Sequence, residues 1–229
     1  MSEFNIPHMS VSSVSAEGNQ IAFIGGSPTQ LGAVTLLNTT TGEFESVRSS
    51  AKVDVSDGYL SVPESVWFPT QADRLAHGFY YPPSNESYIP PQEELPPLLV
   101  MSHGGPTSAT TSELSLNVQY WTSRGIAVMD INYGGSTGFG KAYRARLDRE
   151  WGAVDVDDCV NGAQFLVDSG KVDGNRLAIK GGSAGGYTTL SVLTFRSQFC
   201  AGASYYGISD LEALAKETHK FESRYTDRL

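Results

Sequence analysis

The chain has 229 residues, 40% of them hydrophobic and 18% charged, with a formal net charge of −9. This is room for one domain plus part of another, with enough chain to bury a core, and it is not the composition of a disordered tail or a coiled coil. The acidic balance argues against a nucleic-acid partner, whose phosphates call for Lys and Arg, and two cysteines, Cys159 and Cys200, make no disulfide scaffold. No apolar run reaches membrane-spanning length and no basic-then-apolar leader opens the chain, so neither a membrane partner nor secretion is expected, and the expected location is cytoplasmic.

The first elements read as short strands. Ile21–Ile24 stops at Gly25-Gly26, Ala33–Leu37 stops at Asn38, and Glu43–Val47 alternates polar and apolar residues, the period of a half-buried strand. These predict an antiparallel meander of three or four strands over residues 1–60, too small to close into a barrel or sandwich alone. Val66–Phe68 and Ala76–Tyr81 read as two further strands. A proline-rich stretch, Pro82 to Pro97, follows; it lacks the N–H groups of a central strand and is expected as an exposed connection.

From Leu98 strands and helices alternate. Leu98–Met101, Ile126–Ile131 and Leu177–Ile179 are short apolar runs, the mark of strands covered on both faces. Ala201–Tyr206 is a fourth strand, with Cys200 at its start expected to be buried. Between them lie helical stretches near Leu114–Arg124, over Val154–Asp168 with Val156, Cys159, Val160, Ala163 and Val167 on one face, and over Thr188–Phe195. The tail Leu211–Leu229 reads as a solvated helix with Glu212 and Lys216 at a favourable spacing. Alternation of this kind predicts a mostly parallel sheet with right-handed crossovers and helices on both faces, over residues 61–229.

Three loops carry chemistry. Gly181-Gly182-Ser183-Ala184-Gly185 matches the G-x-S-x-G pattern between a strand and a helix, the setting of a nucleophile elbow. The glycines leave room beside a sharp turn that lifts the Ser183 hydroxyl above the sheet, and the Ala184 N–H is expected to face a developing oxyanion. His103-Gly104-Gly105-Pro106 leaves the strand Leu98–Met101, where an α/β-hydrolase places its second oxyanion donor. Pro106 has no N–H, so Gly104 or Gly105 is the expected donor, with the His103 side chain as a further candidate. In the third loop, Gly135 to Lys141 has the glycine and lysine spacing of a phosphate loop, but Ala142 stands where Ser or Thr would hold Mg²⁺. The loop leaves the carboxyl end of a strand, so Tyr133, Gly134 and Gly135 are expected to face substrate beside Ser183. The four histidines, His8, His77, His103 and His219, have no ligand spacing, and neither metal nor cofactor is expected.

Taken in order, His103-Gly104-Gly105-Pro106-Thr107, Asn132-Tyr133-Gly134-Gly135-Ser136-Thr137-Gly138-Phe139-Gly140 and Gly181-Gly182-Ser183-Ala184-Gly185-Gly186-Tyr187 give a chain that resembles the prolyl oligopeptidase family of serine peptidases, in its acylaminoacyl-peptidase and dipeptidyl-aminopeptidase branch. The resemblance implies an α/β-hydrolase peptidase domain from about Ser61, with the earlier strands as a β-propeller remnant. It implies peptide or N-acylated peptide substrates, Ser183 as nucleophile, and oxyanion donors from Ala184 and the His103–Gly104 segment. Related enzymes often carry Arg where this chain has Gly134. In this fold the triad acid and base follow the serine, and 46 residues follow Ser183 (229 − 183), with Asp210, Asp227 and His219 as the candidates. The expectation is therefore a hydrolase domain incomplete at its C-terminus, without the triad Asp and His. The alternatives are a non-catalytic fragment that self-associates through an exposed sheet edge, and a small-molecule esterase.

Overall fold

The computed structural model describes residues 4–52, 54–91, 93–217, 227 and 229. Four strands, β1 (Ser10–Glu17), β2 (Gln20–Ser27), β3 (Gln30–Asn38) and β4 (Phe44–Ser49), form an antiparallel meander in sequential order. Phe23 and Leu37 are its buried anchors, and the Phe23 ring meets the rings of His8 and Phe44 edge-on. The first strand has no counterpart in the sequence reading. Its two valines, Val11 and Val14, stand three residues apart, and between them the ladder with β2 shifts register from Ser12 to Ser15, where Ser13 takes a φ of 52°. A bulge of this kind breaks the period of two by which a strand is recognised.

The second sheet has six strands in the order β10-β9-β7-β8-β6-β5. β5 (Glu64–Thr70) and β6 (Arg74–Tyr81) make an antiparallel hairpin that joins β8 (Ala127–Asn132); β7 (Leu98–Ser102), β9 (Leu177–Gly182) and β10 (Ala201–Tyr205) run parallel to β8. The chain steps from β7 to β8 on one side through α1 (Leu116–Thr122). It then crosses back to β9 on the other side through α3 (Val154–Asp168), and continues to β10 through α4 (Ala184–Phe195). The reversal makes the carboxyl ends of β7 and its neighbours the switch point of the sheet, where loops diverge and leave a crevice. A short helix, α2 (Lys141–Arg144), lies in the β8–α3 connection, and α5 (Leu211–Glu217) ends the described helices.

Alternate residues of each central strand serve opposite faces. Leu99 and Val128 pack with Val118 and Trp121 of α1, whereas Leu98, Val100, Met129, Ile131 and Ile179 pack against Val156, Cys159, Val160, Ala163 and Leu166 of α3. At about 25 cal/mol per Å² of apolar surface, these two layers are the main source of stability for the frame that carries the loops.

One expectation is corrected at the β10 edge. Cys200 is exposed, not buried. All five residues of β10 are exposed as well, because β9 covers one side of the strand and, among the described residues, nothing pairs with the other. In the tail, Glu212 and Lys216 form the expected ion pair on α5. His219 lies outside the described residues.

Candidate active site

Ser183 stands between the last residue of β9 and the first of α4, with φ 54° and ψ −119°. A non-glycine residue held there is strained, and such strain persists only where the surroundings over-determine it. Here they do. The Ser183 N–H donates to Tyr205 O of β10 at 3.0 Å, and its carbonyl accepts from Tyr187 N at 3.1 Å, closing the first turn of α4. The flanking glycines are sterically required: a Cβ on Gly181 would lie 2.2 Å from Gly185 O, and one on Gly185 would lie 2.0 Å from Ser102 O. Helix α4 therefore starts in direct contact with the end of β7. The Ser183 side chain is half-buried, and among the described residues nothing is hydrogen-bonded to its Oγ. Ala184 opens α4 and is buried; its N–H is one of the first-turn donors without an intrahelical acceptor.

The loop after β7 runs alongside. An ideal Cβ on Gly104 would sit 3.5 Å from Ser183 Cβ and 3.1 Å from Gly182 O, so the glycine lets this backbone lie against the elbow. His103 Nδ1 is 3.0 Å from Gly104 O, and since a carbonyl only accepts, Nδ1 carries the proton. Nε2 then accepts from the Ser136 hydroxyl at 2.8 Å. The ring stacks on Tyr133 with centroids 4.3 Å apart, and the Tyr133 hydroxyl donates to His103 O at 3.2 Å. Burial pushes the His103 pKa down to about 4, so the ring is neutral near pH 7, with both nitrogens engaged.

The third loop is placed against the second. Tyr133, Gly134, Gly135 and Ser136 are buried, and its exposed residues are Thr137, Gly138 and Gly140. Four successive N–H groups are spent inside the protein. Gly134 N donates to Asp158 Oδ2 at 2.7 Å, Gly135 N to Tyr143 O at 3.0 Å, Ser136 N to Tyr133 O at 2.9 Å, and Thr137 N to Ser108 O at 2.8 Å. A phosphate cradle needs those groups free, so the glycine and lysine spacing here builds a packed turn. A Cβ on Gly134 would fall 2.6 Å from Val154 Cγ1 and 3.1 Å from Arg146 Cβ, so any side chain there would force its neighbours to shift.

Helix α3 supports the elbow helix α4 and the third loop through two carboxylates that the apolar-face reading passed over. Asp155 accepts from Gly152 N at 2.6 Å and from the Thr188 hydroxyl of α4; Asp158 accepts from Gly134 N and from the Thr70 hydroxyl of β5. Both are essentially inaccessible. Burial raises the Asp155 pKa to about 6 and raises that of Asp158, against the opposing pull of the hydrogen bonds. Their signal in the sequence is an acidic pair one turn apart, bordering the Cys159 face of an otherwise amphipathic helix.

No described histidine pairs with Ser183. His8 packs on Phe23 and Phe44 of the first sheet, His77 lies between Ser65 and Asn132, and His103 is held as above. Asp210 caps α5 by accepting from Glu212 N and Ala213 N, and Asp227 is exposed. Among the described residues no group of three or more His, Cys, Asp or Glu side chains could hold a metal ion, and no helix is long and apolar enough to cross a membrane.

The family model of the prolyl oligopeptidase family matches residues 112–229, a span that takes in the third loop, α3 and the elbow. The chain belongs to the prolyl oligopeptidase family. It is 34% identical over 134 residues to dipeptidyl aminopeptidase BIII of Pseudoxanthomonas mexicana, covering 58% of this chain and 19% of that protein. It is 31% identical over 142 residues to the acylamino-acid-releasing enzyme of Arabidopsis thaliana, covering 57% and 19%. Among solved structures, a puromycin-hydrolyzing peptidase of Mycobacterium tuberculosis superposes with a TM-score of 0.97 at 45% identity, over 99% of this chain and 35% of that one. A puromycin hydrolase gives 0.95 at 40%, over 99% and 34%. The chain thus spans about a fifth of the curated relatives' length and about a third of the solved chains. The fold expected from the sequence, antiparallel propeller strands ahead of an α/β-hydrolase sheet, is the fold of these peptidases.

Proposed function

We propose that this chain carries the nucleophile and oxyanion half of a serine peptidase site, with peptides or N-acylated peptides as substrates. The observation that carries the reading is the strained turn at Ser183 with the Gly104 backbone packed beside it. Ser183 Oγ attacks the scissile carbonyl carbon and gives its proton to a general base. The carbonyl oxygen becomes an oxyanion held by the Ala184 N–H and an N–H of the Gly104–Gly105 segment. The C–N bond breaks as the amine takes up the proton, and water then hydrolyses the acyl-serine. The base and its acid are not among the described residues. His103 does not serve as the base, because Nδ1 donates to Gly104 O and Nε2 accepts from Ser136. His103 contributes by fixing the Gly104 carbonyl: anchoring that oxygen sets the planar peptide whose N–H belongs to Gly105.

Puromycin hydrolysis by similar proteins supports an amide of an amino acid as acyl donor. The test is hydrolysis of puromycin and of aminoacyl- and acetylaminoacyl-naphthylamides by this sequence within the longest chain its gene encodes, beside a Ser183→Ala variant. Turnover of an amide that is lost in the variant is expected. Hydrolysis confined to simple esters, or unchanged in the variant, contradicts the reading.

A further inference from the structure

We propose that Asn132 is a positioning residue for the oxyanion loop: its side-chain amide holds both backbone groups of Thr110 and so fixes the far end of the segment that passes Ser183. The proposal rests on Ser183 and the Gly104–Gly105 segment acting as above.

Asn132 ends β8 and is fully buried, with every side-chain polar atom paired. Its Oδ1 accepts from Thr110 N at 2.8 Å, and its Nδ2 donates to Thr110 O at 3.2 Å. The second Nδ2 proton goes to His77 Nδ1 at 3.2 Å, and His77 Nε2 meets the Ser65 hydroxyl at 2.9 Å. The amide orientation is fixed by this set, since reversing it would aim a donor at the Thr110 N–H. Two residues earlier on the same strand face, Asp130 takes the Thr110 hydroxyl. All three polar groups of Thr110 are therefore held by β8.

The other end of the loop is held just as firmly. Ser102, the last residue of β7, pairs with Ile131 of the same β8 strand, immediately before Asn132. Residues 103–109 thus span two anchors on adjacent strands. Within the span, Ser108 O accepts from Thr137 N at 2.8 Å, and Ser108 N donates to Gly105 O at 2.6 Å, tying the glycine pair to the anchored end. This gives the third loop a task that its burial leaves it fit for: it is the bed on which the oxyanion loop lies. Donors fixed in advance stabilise a developing charge without reorganising at the moment of reaction, and a loop pinned at both ends has less freedom to lose.

The test uses Asn132→Asp, nearly isosteric but acceptor-only toward Thr110 O and His77 Nδ1, and the uncharged Asn132→Ala. Leu37→Ala, in the first sheet, controls for destabilisation alone. In the longest chain the gene encodes, fluorophosphonate labelling of Ser183 is expected to slow at least tenfold in a folded Asn132 variant, with the Thr110 amide exchanging faster, and to stay within twofold of wild type in Leu37→Ala. In the wild-type chain the Thr110 amide is expected to be protected from hydrogen exchange about as well as the amides of β8. A folded Asn132 variant that labels at the wild-type rate overturns the proposal. Thr110 exchange at the rate of an open loop in the wild type overturns it too, and that reading remains available if both variants fail to fold. A wild-type protein that does not label even as the longest chain its gene encodes counts against Ser183 as nucleophile; the anchor is then decided by the exchange measurement.

Discussion

Replacing Gly185 by Ala tests the elbow geometry most severely. The added Cβ would lie 2.0 Å from Ser102 O, 2.7 Å from Ser102 C and 2.8 Å from His103 O, all backbone atoms at the end of β7. Real Cβ atoms come no closer than about 3.0 Å, so α4 and β7 must separate by about 1 Å (3.0 − 2.0). Neither can swing away as a side-chain tip would. β7 is a central strand paired on both sides, and α4 is tied to α3 through Thr188 and Asp155. Overpacking a rigid core costs about 1–3 kcal/mol, and more where backbone must move. We expect about 3 kcal/mol or more for Gly185→Ala, which for a chain of this size is a fall in Tm of about 6–12 °C. Gly32→Ala is the control, since its Cβ would meet only Ile24 Cγ2 at an ordinary 3.6 Å. Thermal melts of the two variants against wild type give the comparison. A Gly185→Ala chain melting within about 2 °C of wild type would refute the claim that the helix start is in backbone contact with β7.

Other outcomes follow from the buried polar groups. Thr188→Val keeps the shape but removes the hydroxyl that Asp155 accepts, and should cost about 1–3 kcal/mol in urea melts; Thr188→Ser should recover most of the loss. His77 has its pKa lowered by burial from 6.5 to about 4, so the unfolded chain takes up a proton on this group between those values while the folded chain does not. Stability from this group is full above pH 6.5 and falls as pH drops toward 4, by at most about 3 kcal/mol. Asp155, raised to about 6, works in the opposite direction, so the measurement is the difference between wild type and His77→Asn across pH 4–7. The wild type should lose ground steadily as pH falls, and a flat difference would contradict it. For the thiols, a disulfide reagent should modify Cys200 in the native chain and Cys159 only on unfolding, because burial raises the Cys159 thiol well above its usual range.

Much of the frame was legible because its signals are local. The apolar runs of β7, β8 and β9 and the helical spacing of Val154–Asp168 each report burial directly, and the helix has the bounds the spacing predicts. The elbow is legible for the same reason: the glycines flanking Ser183 are demanded by contacts within a few residues or with the adjacent strand. Features set by distant partners were not legible. β1 hides behind a bulge that spoils its alternation. Cys200 follows a buried Phe199 and precedes a strand, yet the strand is an edge, and nothing local distinguishes an edge from a centre. The third loop reads as a glycine-rich, substrate-facing loop, and nothing local shows that four of its N–H groups go to Asp158, Tyr143, Tyr133 and Ser108. Asn132 is one polar residue at a strand end, and only the fold brings Thr110 to it.

The central claim is that Ser183 is a nucleophile presented by this elbow, and covalent labelling tests it most directly. A fluorophosphonate probe, applied to this chain and to the longest product of its gene and mapped by peptide mass, is expected to modify Ser183 at one mole per mole in the form that carries a general base. Ser183→Ala should abolish the modification. Labelling at another serine, or none in either form while the protein melts cooperatively, would contradict the account.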